Sequence, residues 1–135
     1  MDTDSPAIPI GIAVVVHNGS YLVGTRGPDT PLAGCDEFPG GKCLPGESPE
    51  ACVERECREE TSLEVVAERR LLNCTFDYPH GRVDLHFWLC RLVREDDAAQ
   101  SPPAFRWVPA SELAALNFPP ANRELIALLT GDVED

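Results

Sequence analysis

The alternation of apolar and polar residues near the start of the chain predicts a β-hairpin followed by a loop. Residues 10–16 are rich in Ile and Val, which is typical of a buried strand. The turn sequence Asn18-Gly19 follows, so we expect residues 21–25 to form the partner strand. Residues 26–36 contain two glycines and two prolines and are expected to form a loop.

A helix is predicted over residues 48–61. Ser48 is a good N-cap, Pro49 suits the first helical position, and Glu50 adds negative charge where the helix dipole favours it. Val53 and Cys57 are expected to face the core, since they lie together on one side of the helix.

The second half of the chain predicts further strands and two short helices. The predicted strands cover residues 63–66, 71–78, 83–92 and 105–108. A turn is expected at 79–81, a surface loop at 94–103, helices at 111–116 and 122–129, and a frayed tail at 130–135. The length fits one domain over residues 1–135, and the mixture of elements predicts an α+β fold with a mixed β-sheet flanked by helices.

The charge restricts the kind of partner. The formal net charge is -12, and such a surface repels a polyphosphate backbone, which argues against a nucleic-acid polymer as ligand. A small anionic ligand would need positive charge at its site, and a metal ion is one source.

The N-terminus and the cysteines predict a cytoplasmic protein. The chain begins with acidic residues where a secretory signal is basic, and its apolar stretch over residues 8–16 is too short to span a bilayer. We therefore expect no membrane association. The six cysteines show neither C-x-x-C spacing nor a zinc-type cluster, and free thiols are the expected state.

The chemistry is concentrated in the predicted helix. At about 100° per residue, Glu56, Glu59 and Glu60 fall on one face, where like charges raise one another's pKa unless a cation lies among them. Hard cations such as Mg²⁺ or Mn²⁺ prefer such oxygen ligands. Arg55 can orient one of the carboxylates, and the backbone at Gly41 can approach a metal closely. The alternative is a solvated acidic helix face without a ligand.

The spacing of this segment resembles the Nudix box, G-x5-E-x7-R-E-U-x-E-E-x-G-U, where U is a bulky aliphatic residue. The nine specified positions fall on Gly41, Glu47, Arg55, Glu56, Cys57, Glu59, Glu60, Ser62 and Leu63, and seven of them match. Cys57 stands where an aliphatic residue is usual, and Ser62 replaces a glycine that would adopt a left-handed conformation after the helix. Neither difference changes a charged position.

Other segments are similar to the MutT-like branch of that family. They are D-E-F-P-G-G-K at 36–42, H-F-W-L at 86–89 and F-P-P-A-N at 118–122. Two features depart from the branch. Arg106 precedes Trp107 where a metal-binding glutamate is expected. An arginine that follows the turn in that branch is shifted in position here, where the chain has Gly81 and Arg82.

The resemblance implies an α/β/α sandwich and hydrolysis of a nucleoside triphosphate to a monophosphate and pyrophosphate, with 8-oxo-dGTP as the best known substrate. It implies Mg²⁺ or Mn²⁺ held by Glu56, Glu59, Glu60 and the Gly41 carbonyl, with Glu47 acting directly or through water. Glu56 is the first choice for general base, with Arg55 and Glu59 as the other catalytic residues.

The resemblance also implies that the substrate lies against Arg26, Phe38, Tyr78 and Asn122. An amide such as Asn122 offers a donor and an acceptor that suit a guanine edge. Taken singly, Asn122 could instead cap a helix, Arg26 could be an exposed loop residue, and Phe38 could belong to the core.

Three other functions stay open at this stage. The chain could hydrolyse another nucleotide, such as a modified pyrimidine triphosphate. It could bind nucleotides without turnover, although all four box glutamates are present. A thiol-based redox protein is disfavoured, because no cysteines are paired in spacing.

Overall fold

The computed structural model describes residues 7–79, 81–100 and 102–131. Within these ranges the strands are β1 (Ile8–His17), β2 (Ser20–Thr25), β3 (Asp36–Glu37), β4 (Gly40–Lys42), β5 (Val65–Tyr78), β6 (Gly81–Leu92) and β7 (Phe105–Pro109). The α-helices are α1 (Pro49–Thr61) and α2 (Arg123–Thr130), and short 3-10 helices cover Glu95–Ala99, Ala110–Ala115 and Pro120–Asn122.

The strands form one mixed sheet, which confirms the predicted fold class. Strand β1 runs parallel to β6 and antiparallel to β2 and β4, while β5 pairs antiparallel with the other side of β6. Strand β2 also pairs with β3 and β7. The short strands β3 and β4 were not predicted, since two or three residues around a Gly-Gly turn carry no periodic apolar signal.

Alternating side chains of the sheet supply two cores, one under each α-helix. The α1-side core includes Ala13, Val15, Val53, Cys57 and Cys90. The α2-side core includes Val14, Val23, Phe38, Phe87 and Leu125. Because successive residues of β1 and β6 point to opposite faces, both faces are apolar and each is covered by a helix, as an α/β/α sandwich requires.

Helix α1 has the boundaries that its sequence predicts. The Ser48 Oγ accepts a hydrogen bond from the Ala51 N–H at 3.1 Å, and Pro49 opens the helix. The helix ends at Ser62, which has a left-handed conformation with φ 65° and donates its N–H to the Arg58 carbonyl. A serine therefore adopts the conformation that glycine usually takes at this position.

The prediction of two separate strands over residues 63–66 and 71–78 is wrong. A single strand, β5, covers this stretch, with register shifts at Ala67/Arg69 and Arg70/Leu72. These irregularities are β-bulges, which let the charged residues between the apolar segments stay exposed on an edge strand.

Three further boundaries differ from the predictions. The predicted loop at 94–103 contains the 3-10 helix Glu95–Ala99, and the predicted helix at 111–116 is a 3-10 helix that begins at Ala110 without a capping side chain. Helix α2 begins at Arg123, and Asn122 does not cap it through its side chain. Thr130 belongs to α2, whereas 132–135 and His80 of the predicted turn lie outside the described residues.

None of the described helices has the length and apolar character needed to cross a membrane.

Candidate active site

A cleft of about 590 Å³ opens beside the N-terminal half of β1 and the β5–β6 hairpin. Its apolar lining comes from alternate residues of β1 and β6 together with Phe38: Ile8, Ile10, Ile12, Val83 and Leu85. Polar groups enter from the loop after β2, from the Gly40-Gly41 turn and from the segment before α2. An apolar cleft with a few convergent polar groups is the usual form of a small-molecule site.

The four predicted substrate residues all line this cleft. Arg26, Phe38, Tyr78 and Asn122 come from separate segments of the chain, and the fold brings them together. Asn122 is only 8% exposed, and its side-chain amide makes no hydrogen bond to another described residue. Buried amides are normally hydrogen-bonded, so the donor and the acceptor of the Asn122 amide stand out among the groups that line the cleft.

Phe38 contributes mainly to the core. Its side chain is 4% exposed and its ring stacks on Phe118 with centroids 4.9 Å apart. Tyr78 supports the segment that carries Asn122, because its Oη accepts a hydrogen bond from the Ala121 N–H at 3.3 Å. Burial raises the pKa of Tyr78, so its hydroxyl stays neutral.

Arg26 is engaged with its own loop. Its Nε donates to the Pro31 carbonyl at 2.6 Å, and its Nη1 donates to the Glu37 carboxylate at 3.2 Å. The guanidinium therefore fixes one wall of the cleft. Burial raises the pKa of Glu37, and the nearby positive charge of Arg26 opposes that rise.

The carboxylates of the box are organised around Arg55. The guanidinium binds both oxygens of Glu47, with Nε to Oε2 at 2.8 Å and Nη2 to Oε1 at 2.9 Å. Its Nη1 donates to Glu56 at 3.1 Å and to Glu59 at 3.2 Å. Hydrogen bonds from Arg55 and from the Leu44 N–H lower the pKa of Glu47 to about 2, so this carboxylate stays charged.

Glu60 lies at the junction between this cluster and the cleft. Its Oε1 accepts a hydrogen bond from the Gly40 N–H at 3.3 Å, and the residue lines the cleft. Burial of the carboxyl group raises its pKa to about 7, although the residue as a whole is exposed. The carboxylates of Glu37, Glu56 and Glu59 add repulsion in the same direction.

Gly41 allows the β4 backbone to lie against the helix. A Cβ at this position would come within 2.5 Å of the Glu56 carboxyl group, so no larger residue fits without a shift. The donor set is rich in oxygen, with three glutamates and the Gly41 carbonyl, which is the chemistry that Mg²⁺ or Mn²⁺ prefers.

The carboxylates do not converge on one point in the described residues. In ranges 7–79, 81–100 and 102–131, no three His, Cys, Asp or Glu side chains form a ready cation-binding group. Arg55 holds Glu56 and Glu59, and the Gly40 N–H holds Glu60. These oxygen ligands are therefore of the type that a divalent cation prefers. In this structure they bind the Arg55 guanidinium and the Gly40 N–H instead.

Arg106 does not join the carboxylate cluster. It pairs with Val23 across β2 and β7, and Val23 belongs to the α2-side core. Directly opposed residues share a face of the sheet, so Arg106 lies on the face opposite α1. There its Nη2 donates to Asp36 at 3.2 Å.

Some residues of the site were not predicted. Glu37 and Lys42 line the cleft, and Asp36 holds the segment before Asn122. All three stand within D-E-F-P-G-G-K, so the motif contained the signal. Their roles depend on strand register, which the motif alone does not give.

Sequence comparison with known proteins matches this chain to one family and to several of its members. The NUDIX domain family matches residues 11–128. The 8-oxo-dGTP diphosphatase of Escherichia coli (strain K12) is 31% identical over 122 residues, covering 90% of this chain and 94% of the relative. The CTP pyrophosphohydrolase of the same organism is 27% identical over 118 residues, covering 87% and 86%.

A solved structure agrees in fold. The MutT protein from Methanosarcina mazei Go1 gives a TM-score of 0.78 at 20% sequence identity, covering 99% of this chain and 100% of the other. At this identity the likeness concerns the fold alone.

Proposed function

Because the chain belongs to the Nudix hydrolase family, we propose that it is a metal-dependent nucleoside triphosphate pyrophosphohydrolase. It converts a triphosphate to a nucleoside monophosphate and pyrophosphate, with oxidised purines such as 8-oxo-dGTP as substrate. One observation carries the proposal: a single cleft is lined by Gly41 and Glu60 of the Nudix box and by Asn122, whose amide has no hydrogen bond among the described residues. A base at Asn122 and phosphates near the glutamates can therefore belong to one molecule.

Glu56, Glu59, Glu60 and the Gly41 carbonyl would hold Mg²⁺ or Mn²⁺, with Glu47 contributing directly or through a water molecule. A bound divalent cation would offset the charge of the phosphates and lower the pKa of a water molecule. Arg55 orients Glu56 and Glu59 through its hydrogen bonds. Glu56 is the proposed general base, which accepts a proton from the attacking water.

The base is recognised by the part of the cleft that Asn122 and the apolar residues of β1 and β6 line. Asn122 presents both a donor and an acceptor from a buried position, and a base that leaves such groups unpaired is rejected. The apolar side chains of β1 and β6 cover the rest of the ring surface. Arg26 and Lys42 supply positive charge in the cleft of a chain whose net charge is -12.

A pyrimidine triphosphate is the second candidate substrate. The relative named CTP pyrophosphohydrolase is similar over most of this chain, and an apolar lining accepts any base. A binding module without turnover is the third. Its disadvantage is that all four box glutamates are present and that Arg55 contacts three of them, Glu47, Glu56 and Glu59.

The test is pyrophosphate release from 8-oxo-dGTP, dGTP, dCTP and CTP, together with AMP release from ADP-ribose, each with and without Mg²⁺. We expect metal-dependent release that is fastest with 8-oxo-dGTP. A lead by CTP or dCTP would establish the second candidate and contradict the purine assignment. No release from any triphosphate would contradict the proposed reaction.

A further inference from the structure

Asp36 links two segments that are far apart in the sequence. Its backbone N–H donates to the Asn117 carbonyl at 2.9 Å, and the Asn117 N–H donates to its Oδ2 at 2.7 Å. Its other oxygen, Oδ1, accepts from Arg106 at 3.2 Å. We refer to Asp36, Arg106 and Asn117 as the Asp36 latch.

The Asp36 side chain is the most shielded part of the latch, and Asn117 is exposed. The Asp36 side chain is 14% exposed, whereas the Arg106 side chain is 45% exposed. Both carboxylate oxygens have a donor, and hydrogen bonds to a charged acceptor are of more than average strength. The backbone contact with Asn117 is therefore the stronger part, and Arg106 supports it from the surface.

The latch continues directly into the cleft. Phe38 and Phe118, each close in sequence to a latch residue, stack with an interplanar angle of 17°. From Phe118 the chain passes through Pro119 and Pro120, whose rings fix φ, and reaches Asn122. Few free rotations therefore separate the latch from the amide that lines the cleft.

We propose that the Asp36 latch positions Asn122 for base recognition, which makes Asp36 a residue that sets substrate preference. The inference rests on the proposed role of Asn122. It also gives Arg106 a function. At the position where the MutT-like pattern has a glutamate, this chain carries an arginine whose described ion-pair partner is Asp36, on the sheet face away from α1.

The expected effect is on recognition rather than on hydrolysis. Discrimination between two bases by hydrogen bonds requires the amide to be held in a fixed orientation. Asp36 has no hydrogen bond or ion pair with Arg55 or the box glutamates. Loss of the latch should therefore raise KM and weaken base preference, with a much smaller change in kcat.

The first experiment measures the latch without any substrate. Asp36→Ala should increase deuterium uptake in peptides that cover residues 117–122 and leave uptake in α1 unchanged. Arg91→Ala is the control, because Arg91 forms a similar exposed ion pair with Glu68 at 2.7 Å and does not line the cleft. Unchanged uptake over 117–122 in Asp36→Ala would overturn the inference, whether or not the protein is an active hydrolase.

The second experiment is a double-mutant cycle with Asn122→Ala. The readout is the ratio of kcat/KM for 8-oxo-dGTP to that for dGTP. Asp36→Ala should lower this ratio by about tenfold, the factor expected for one lost hydrogen bond of this kind. Asp36→Asn keeps an acceptor for the Asn117 N–H and should restore most of the preference. In the Asn122→Ala background, Asp36→Ala should have no further effect.

The outcomes separate this inference from the proposed function. Effects of Asp36→Ala and Asn122→Ala that multiply, or an Asp36→Ala variant with unchanged preference, would overturn the latch alone. A wild-type protein that shows no base preference would overturn the role of Asn122 and this inference with it.

Discussion

At the residue scale, Arg55 organises the acidic site more than any single glutamate does. Its planar guanidinium binds both oxygens of Glu47 and also contacts Glu56 and Glu59. A lysine carries the same charge but cannot reproduce this geometry from one ammonium group. The carboxylates are therefore kept in position by shape as well as by charge.

We expect Arg55→Lys to lower kcat by about tenfold or more, because Glu56 and Glu59 lose their orientation. Arg58→Lys is the matched control. Arg58 lies on the same helix, and among the described residues its side chain has one long ion pair, to Glu64 at 3.8 Å. Steady-state hydrolysis of the preferred triphosphate measures both, and equal rates for the two variants would contradict the role of Arg55.

Some residues of the candidate site could be predicted from the sequence, and others could not. The resemblance predicted Arg26, Tyr78 and Asn122, and the fold places all three on one cleft. The Asp36–Arg106 pair could not be predicted, since its members are 70 positions apart and meet only through strand register. The engagement of Arg26 with Pro31 and Glu37 is likewise a product of the folded loop.

At the scale of elements, helix α1 was predictable because its signals are local. Its N-cap, its proline and its apolar positions all lie within the segment itself. Strand β5 was not, because the charged residues between its apolar parts look like a break in the sequence. Only pairing with β6 shows that bulges carry the strand past them.

The C-terminus of α1 provides a test of stability. Ser62 has φ 65°, a left-handed conformation that glycine adopts without steric cost. We expect Ser62→Gly to raise the free energy of unfolding by about 0.5–1 kcal/mol. Urea denaturation measures the change. Ser111→Gly is the control, since Ser111 does not have a positive φ and its replacement should give no gain. A loss of stability in Ser62→Gly would contradict the account of this cap.

At the scale of the whole molecule, negative charge and the acidic site act together. The chain has a net charge of -12, and its cleft is bordered by carboxylates that repel one another. The folded chain without metal therefore stores electrostatic repulsion, which a cation would relieve.

The pH dependence of stability follows from Glu60. Its pKa is raised from 4.5 to about 7 in the folded chain, so the folded state binds this proton more tightly than the unfolded state. The contribution is fully present below about pH 4.5 and is lost as the pH rises through about 7. Glu60→Gln cannot lose the proton and retains an acceptor for the Gly40 N–H.

In EDTA we expect the Tm of Glu60→Gln to match the wild type near pH 4 and to exceed it at pH 8. The gain should be of the order of 3 °C, because exposure weakens the effect. Added Mg²⁺ should then stabilise the wild type more than the variant. A variant that is less stable than the wild type at pH 8 in EDTA would contradict the direction of this pKa shift.

The central claim is that Glu56, Glu59 and Glu60 of the Nudix box perform metal-dependent hydrolysis. It is tested most directly by pyrophosphate release from 8-oxo-dGTP across a Mg²⁺ titration, comparing Glu56→Gln with Glu50→Gln. Glu50 lies on the same helix, but it forms no hydrogen bond or ion pair with Arg55. The account predicts that Glu56→Gln loses at least about a hundredfold in kcat, while Glu50→Gln stays close to the wild type. Full Mg²⁺-dependent activity in Glu56→Gln would contradict it.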